Sequence, residues 1–549
     1  MQRPVRFSPV QLALLALLIS AAVQFAWFAG SPHDPMNDVD YSIFAAQNLL
    51  AHGELKGLNL LSDFRDDLAQ FAQRRWMVHY PPGHSLLYAA AMGLGLNPSD
   101  ATKALALTGM LAGGIGWILL ARFLGASRSW LVLLASFYPW LPWVANAYRL
   151  YETEYVVFAI MPLFCRALLR IGPPVAPQGT PLPNQKGQLA LVTLLALLMV
   201  GFKYSMSPVF LAAGLYLLIQ DGRRFTARSM GWRITVAGLL AAPLILAPLI
   251  DQLYGPRVIR LGPAASHFGL PALARNLLDN SVAATLGWNK LLDRLLAIVH
   301  LHPFSGLITL VSLASLAVWI AHLRRNPPQD RVRSFGLLLV LLTAALWLSL
   351  AASTLLGKGQ WNFSAEPRFY MPVTLLWLMF GAVSLDKMPL RAMLRSPALY
   401  VLTLPLLLTA AFETRTASRQ PPDPAMPVSG IAWKASDNPE HAAFLSAFAR
   451  AQGRKPDLLI AMPSMMNELA VPSFATGYLV PPGRHYWSSK PLELWALVLP
   501  SQEKALLENS AGARIRRVAT PAGYPFVFYI VNFEPSQRPR GWSGRPRRW

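Results

Sequence analysis

The chain has 549 residues, of which 54% are hydrophobic and only 14% charged. That charged share is well below the roughly 25% of a soluble globular domain. The formal net charge of +22 would suit nucleic acid, but the basic residues fall in short loops between apolar runs, where membrane topology places them, so nucleic acid is excluded as a partner. The single cysteine, Cys165, excludes an internal disulfide and any multi-cysteine metal site.

The first element follows Arg3 and Arg6. It is an apolar stretch from Ser8 to Gly30, longer than a signal-peptide core and without a small-x-small cleavage site, so it reads as a retained span. Further spans are expected at Ala101–Phe123, Trp130–Ala147, Tyr155–Leu169, Gln188–Phe202, Ser207–Ile219, Ile234–Ile250, Phe304–Ala321, Phe335–Leu356, Phe369–Leu385 and Leu399–Phe412. About eleven runs of this kind match the hydrocarbon thickness of a bilayer. The fold class is therefore an α-helical polytopic membrane protein. Alternate loops carry Arg122 and Arg128, then Arg166, Arg170 and Lys186, then Arg223, Arg224, Arg228 and Arg233, then Arg324, Arg325, Arg331 and Arg333, then Lys387, Arg391 and Arg395. By the positive-inside rule these loops and the N-terminus are cytoplasmic, and an odd number of spans puts the C-terminal part outside. The segment His84–Leu96 is apolar but too short to span, which suits an interfacial or re-entrant helix. The glycines of GLGLNP and GMLAGGIG fall within helical patterns and read as packing positions.

The expected organisation is a membrane domain over 1–412 with a large first outer loop over 31–100. A small extracytoplasmic α/β domain follows over 413–535, then a basic, disordered tail over 536–549. In the C-terminal domain Pro439 at a first helical position and Gly453 bound a helix. DLLIA, LWALVL and FVFYIVNF read as strands, with SQEKALLEN as a helix between two of them.

The loop after the first span is rich in acids: Asp34, Asp38, Asp40, Glu54, Asp63, Asp66 and Asp67. Within NDVDYSIFAAQNLLAHGEL, Ile43, Ala46, Leu49 and Leu50 recur at helical spacing, which predicts an amphipathic helix at the membrane interface with Asp38 and Asp40 at its N-terminal edge. Helix capping and the helix dipole would account for one acid there. The loop closes with MVHYPPGHSLLYAA, the third span is followed by RLYETEYVVFAI, and the tenth opens with EPRFYMPVTLLW.

This order of motifs resembles the GT-C glycosyltransferases, membrane enzymes that take a sugar from a polyprenyl-phosphate carrier and include protein mannosyltransferases and aminoarabinose transferases. The family often has Asp-Glu or Asp-Asp at the first motif, where this chain has Asp38-Val39-Asp40. The resemblance implies Asp38 or Asp40 as the catalytic base, with Asp38 the better match in register. It implies Glu154, and less closely Glu152, as further catalytic acids at the outer end of a span, and Arg368 as a clamp on the donor phosphate. Lys203 in GFKYSMSP, and Arg257 and Arg260 in YGPRVIRLG, are further phosphate-binding positions, the last two because they depart from the positive-inside pattern. His79, Tyr80, Pro81 and Pro82 form the substrate loop, where the prolines mainly shape the chain. A metal role for His79 and His84 is the lesser reading, and no metal or cofactor is expected. The implied partners are the bilayer, a polyprenyl-phosphate-linked sugar and an envelope acceptor, and the location is a bacterial-type inner or plasma membrane. A lipid-phosphate sugar leaves as an anion, so it needs cations rather than a general acid, while the acceptor hydroxyl needs a carboxylate. Two other classes compete: a transporter or flippase of lipid-linked sugars, which would carry mid-span charges and repeated halves, and a non-catalytic membrane scaffold.

Overall fold

The computed structural model describes residues 7–29, 37–53, 55–57, 67–71, 75–76, 81–149, 154–171, 185–221, 230–254, separate positions between 278 and 296, and then 305–356, 370–386, 388–417, 439–461, 474–476, 485–524 and 526–536. The chain divides into two units. The first comprises Met1–Ser31, Ala106–Ile250 and Pro263–Gln420; the second comprises Pro32–Leu105, Asp251–Gly262 and Pro421–Trp549.

The first unit is helical. Its elements are α1 (Pro9–Ala29), most of α5 (Pro98–Phe123), α6 (Arg128–Phe137), α7 (Pro142–Arg149), α8 (Glu154–Arg170), α9 (Gln185–Phe202), α10 (Pro208–Asp221), most of α11 (Met230–Tyr254), α12 (Ser305–Arg325), α13 (Asp330–Leu356), α14 (Met371–Asp386), α15 (Leu390–Leu394) and α16 (Pro397–Ala417). Among the described residues, four helices are long and apolar enough to cross a membrane, at Pro9–Ala26, Asp100–Phe123, Leu307–Arg325 and Asp330–Ala351, and five more are apolar but shorter. Leu15, Leu18, Ile19 and Val23 of α1 and Leu191, Leu194 and Leu198 of α9 stand exposed, as a lipid-facing surface requires. The chain is an integral membrane protein.

The expected single span over Trp130–Ala147 is three pieces. α6 ends at Phe137, a 3-10 turn covers Tyr138–Trp140, and α7 begins at Pro142. Pro139 and Pro142 have no N–H to continue an α-helical ladder, so the chain breaks there. Close approach along α5 is made possible by glycine. A Cβ on Gly113 would lie 2.1 Å from the Tyr138 hydroxyl, one on Gly109 would lie 2.4 Å from the Tyr155 ring, and one on Gly114 would lie 2.5 Å from Leu17. The glycines of GLGLNP behave differently. Gly93 is the last residue of its helix and Gly95 has φ +96°, a left-handed conformation that ends the helix rather than packing it.

The second unit is built on a five-stranded sheet of β3 (Leu458–Ala461), β4 (Phe474–Thr476), β5 (Leu492–Val498), β6 (Arg514–Val518) and β7 (Val527–Phe533). The order is β4-β3-β5-β7-β6. β3 pairs in parallel with both β4 and β5, whereas β5–β7 and β6–β7 are antiparallel. Side chains alternate between two faces. Leu459, Ala461, Trp495, Leu497, Phe528 and Ile530 pack with Leu445 and Ala449 of α17 (Pro439–Gln452) and with Phe44 and Ala45 of α2 (Asn37–His52). Phe448 of α17 meets Trp495 and Phe528 edge-on, each at 5.1 Å between ring centroids. On the opposite face Leu458, Ile460, Leu494, Ala496 and Val531 pack with Leu506 of α18 (Glu503–Asn509) and with Leu68 of α3 (Leu68–Phe71).

The loop that follows the first span thus covers both faces of the C-terminal sheet. Asp67, 3% exposed, accepts from the backbone N–H of Ala69 (3.0 Å) and of Ser489 (2.8 Å), and Leu68 N donates to Trp487 O (3.0 Å). A two-stranded ribbon, β1 (Lys56–Gly57) with β2 (Arg75–Trp76), closes part of the same loop. α2 differs from a helix lying on a surface. Ile43, Phe44, Ala45 and Ala46 are all buried although Leu50 is exposed. Four consecutive residues sweep about a full helical turn, so α2 is covered on opposite sides, by the sheet and by α4 (Pro82–Gly93).

Candidate functional site

The residues singled out from the sequence fall in both units. In the second unit Asp38 and Asp40 lie in the first turn of α2; their side chains are outside the described residues. The helix that carries them is fixed by Val39, Ser42, Ile43 and Asn48, all buried. Pro81 and Pro82 initiate α4: Pro81 is extended at φ −60° and ψ 148° and Pro82 takes the first helical position, where a missing N–H costs nothing. His84 is buried within α4 and meets Tyr88 edge-on at 5.1 Å, the setting of a core residue. His79 and Tyr80 lie outside the described residues, as do Glu152, Arg257, Arg260 and Arg368. Among the described residues no group of three or more His, Cys, Asp or Glu side chains is gathered as a metal site.

In the first unit Glu154 and Lys203, given separate roles by the sequence, are partners. Glu154 is the first residue of α8 and its side chain is 2% exposed; Lys203 is 12% exposed. The Lys203 ammonium donates to Glu154 Oε1. The chain positions this lysine by leaving the helix. Lys203 is extended at φ −152° and ψ 112° between α9 and the 3-10 turn Tyr204–Met206, while its N–H still donates to Met199 O (2.8 Å) and its C=O accepts from Met206 N (2.9 Å). Glu154 and Lys203 together carry no net charge, which lowers the cost of burying both.

Helix direction shows which residues share an end of this unit. Ser127 caps α6 and donates through its N–H and its hydroxyl to Asp386 at the end of α14, both at 2.6 Å. Arg170 at the end of α8 and Arg331 at the start of α13 lie over the ring of Phe123, the last residue of α5. The C-terminal ends of α5, α8 and α14 therefore meet at one end. The first residues of α8 and α14, Glu154 and Met371, belong to the other. Tyr370, two residues after Arg368, is buried there and its C=O accepts from Val373 N and from the Thr374 hydroxyl. Tyr370 also lines a cavity of about 400 Å³ whose walls, including Trp319, Trp347, Trp377 and Phe380, are almost wholly apolar.

Asp279 is a carboxylate that the sequence reading passed over. It accepts from the Thr309 hydroxyl at 2.9 Å, in the first turns of α12, whose last turn carries Arg324 and Arg325. The signal was a lone acid within the apolar pattern LLDNSVAATLGW.

No family model matches the sequence, and no curated protein is similar to it. Solved structures are similar in course. ArnT from Cupriavidus metallidurans, solved in the apo state and bound to undecaprenyl phosphate, has a TM-score of 0.46 at 14% identity, over 94% of this chain and 97% of that one. The arabinofuranosyltransferase AftD from Mycobacteria gives 0.44 at 15% identity, over 94% of this chain and 41% of that one. The Archaeoglobus fulgidus oligosaccharyltransferase gives 0.42 at 12% identity, over 84% of this chain and 64% of that one.

Proposed function

We propose that the protein is a GT-C-type membrane glycosyltransferase that moves a sugar from a polyprenyl-phosphate donor to an envelope acceptor on the outer face of an inner or plasma membrane. The observation that carries this reading is the gathering of motif residues at one end of the helical unit. The Glu154–Lys203 pair and Tyr370 of the RFYMP motif share that end, and Tyr370 borders an apolar cavity. An isoprenoid tail needs such an apolar surface, and in this reading Arg368, two positions before Tyr370 in the sequence, supplies the cation for the anionic head. The opposite end carries Arg122, Arg170 and Arg331, so the positive-inside rule assigns it to the cytoplasm and the motif end to the outside. In this reading the chain has about eleven spans, a cytoplasmic N-terminus and an extracytoplasmic C-terminal domain.

The chemistry balances without a cofactor. The acceptor hydroxyl loses its proton to a carboxylate of the first loop, Asp38 by register or Asp40 beside it. The acceptor oxygen bonds to the anomeric carbon as the bond from that carbon to the phosphate oxygen breaks. The electron pair leaves on the polyprenyl phosphate. Arg368, assisted by Arg257 and Arg260, offsets the phosphate charge; a guanidinium presents two parallel donors to it. Lys203, paired with Glu154, is a further phosphate-binding position, Glu154 and Glu152 are the acids at the outer end of the span, and His79–Pro82 form the substrate loop. A transporter of lipid-linked sugars would place its ionisable groups at mid-span, whereas Glu154 and Lys203 lie at helix termini. Mass spectrometry of cell-envelope glycans with and without the gene tests the reading. Loss of one sugar substituent, with accumulation of its lipid carrier, is expected; an unchanged glycan profile contradicts it.

A further inference from the structure

Four arginines lie at the end of the helical unit opposite Glu154. Arg122 is in the last turn of α5, Arg166 and Arg170 are one turn apart at the end of α8, and Arg331 is in the first turn of α13. The guanidinium carbons of Arg170 and Arg331 stand 5.8 Å and 5.3 Å from the centroid of the Phe123 ring, and Arg331 Nη1 donates to Phe123 O at 3.4 Å. Arg166 is deeper. It experiences the positive charges of Arg170 and Arg122, and its Nε is buried with no acceptor among the described residues. Arg122, Arg170 and Arg331 are exposed. Among the described residues none of the four has a salt-bridging carboxylate. Asp386, close by, is engaged by Ser127.

Membrane topology explains why this end is basic, but not why its arginines crowd together. The positive-inside rule needs charge in the loops, not convergence. Like charges one turn apart on a helix repel, and the C-terminal dipoles of α5 and α8 offset only about half a charge each. Exposed forked donors beside a recessed one match a tetrahedral anion, and their place at helix termini is the depth of lipid headgroups. We propose that this cluster binds the phosphate of an anionic phospholipid in the leaflet at this end of the protein. The same donors would accept a free phosphate ion; position at the headgroup level favours the lipid. The site is independent of the proposed transferase chemistry.

The test uses the full chain purified in neutral detergent, with thermal unfolding followed as phosphatidylglycerol, phosphatidylcholine or inorganic phosphate is added. Phosphatidylglycerol should stabilise saturably and phosphatidylcholine should not. Arg166→Gln with Arg170→Gln should weaken the apparent affinity about a hundredfold, roughly tenfold for each charged donor removed. Arg324→Gln with Arg325→Gln, an equal change in net charge at the end of α12, should leave it within about threefold. Equal responses to the two lipids, or an unchanged response in the first variant, overturn the proposal. Inorganic phosphate acting as well as phosphatidylglycerol, through the same arginines, overturns its lipid assignment. Should the double variant fail to fold, native mass spectrometry of the unaltered protein from mixed nanodiscs decides: retained lipid enriched in phosphatidylglycerol supports the site, and bulk composition refutes it.

Discussion

Asp67→Ala removes an acceptor that two backbone N–H groups share. The carboxylate is 3% exposed, and it lies 3.0 Å from Ala69 N and 2.8 Å from Ser489 N. A hydrogen bond to a charged group contributes about 1.5–3 kcal/mol net. The two are not additive, because one carboxylate oxygen serves both. Leu68 remains buried against the sheet and its N–H still bonds to Trp487 O, so the loop stays attached. The expected loss is therefore about 3 kcal/mol, confined to the contact between residues 67–69 and 487–489. Asp67→Asn keeps an oxygen acceptor but not its charge, and should lose about 1 kcal/mol. Hydrogen exchange read by mass spectrometry on the full chain measures this directly. Three kcal/mol corresponds to about a hundredfold faster exchange through local opening, in peptides covering Ala69 and Ser489, with β3 and β7 unchanged. Exchange within threefold of the parent protein would show that Asp67 does not join the loop to the sheet.

Glu154→Gln should destabilise the protein by about 3 kcal/mol because it removes the carboxylate to which the largely buried Lys203 donates, and adding Lys203→Met should recover most of the loss in a detergent melt; a double variant as unstable as the single one would refute the pairing. Gly113→Ala should cost about 1–3 kcal/mol by overpacking, since its Cβ would stand 2.1 Å from the Tyr138 hydroxyl, and adding Tyr138→Phe should relieve it; no relief would mean that the strain lies elsewhere. Burial first, then the neighbouring Glu503 carboxylate that accepts its hydrogen bond, pushes the Tyr529 phenol above its ordinary value. A raised folded value favours the protonated native state, so this stability is full below the ordinary tyrosine pKa of about 10 and is lost as pH rises from there through the higher folded value. Melts across about pH 9–11 should decline less steeply in Tyr529→Phe, and parallel curves would contradict the assignment.

Local signals were legible where one residue decides the backbone. Pro439 opens α17 and Gly453, at φ +63°, ends it. The β-rich strings DLLIA, LWALVL and FVFYIVNF fall on β3, β5 and β7. β6 has the sequence RIRRV, whose arginines hide its pattern because it is an edge strand with exposed side chains. Apolar runs located helices but not the break at Pro139 and Pro142, since hydropathy does not register a missing N–H. The amphipathic pattern of α2 indicated one buried face; the second is covered by a sheet whose core lies some four hundred residues later in the chain, as Asp67 and Ser489 illustrate at a separation of 422. The Glu154–Lys203 pair was hidden for the same reason. Each residue was noticeable alone as a charge next to an apolar run, but their contact depends on how α8 packs against α9.

The most direct test of the proposed chemistry is turnover in Asp38→Asn. Asn has the size of Asp, and in the first turn of α2 it gives up only the helix-dipole interaction, about 0.3–1 kcal/mol, so α2 should form and the protein should accumulate normally while basicity and charge are lost. With glycan transfer measured in cells lacking the native gene, at matched protein levels, Asp38→Asn should fall by about 10²–10⁴-fold and Asp40→Asn by less. Activity near that of the parent protein in both variants would contradict a carboxylate base on this helix, and with it the central claim.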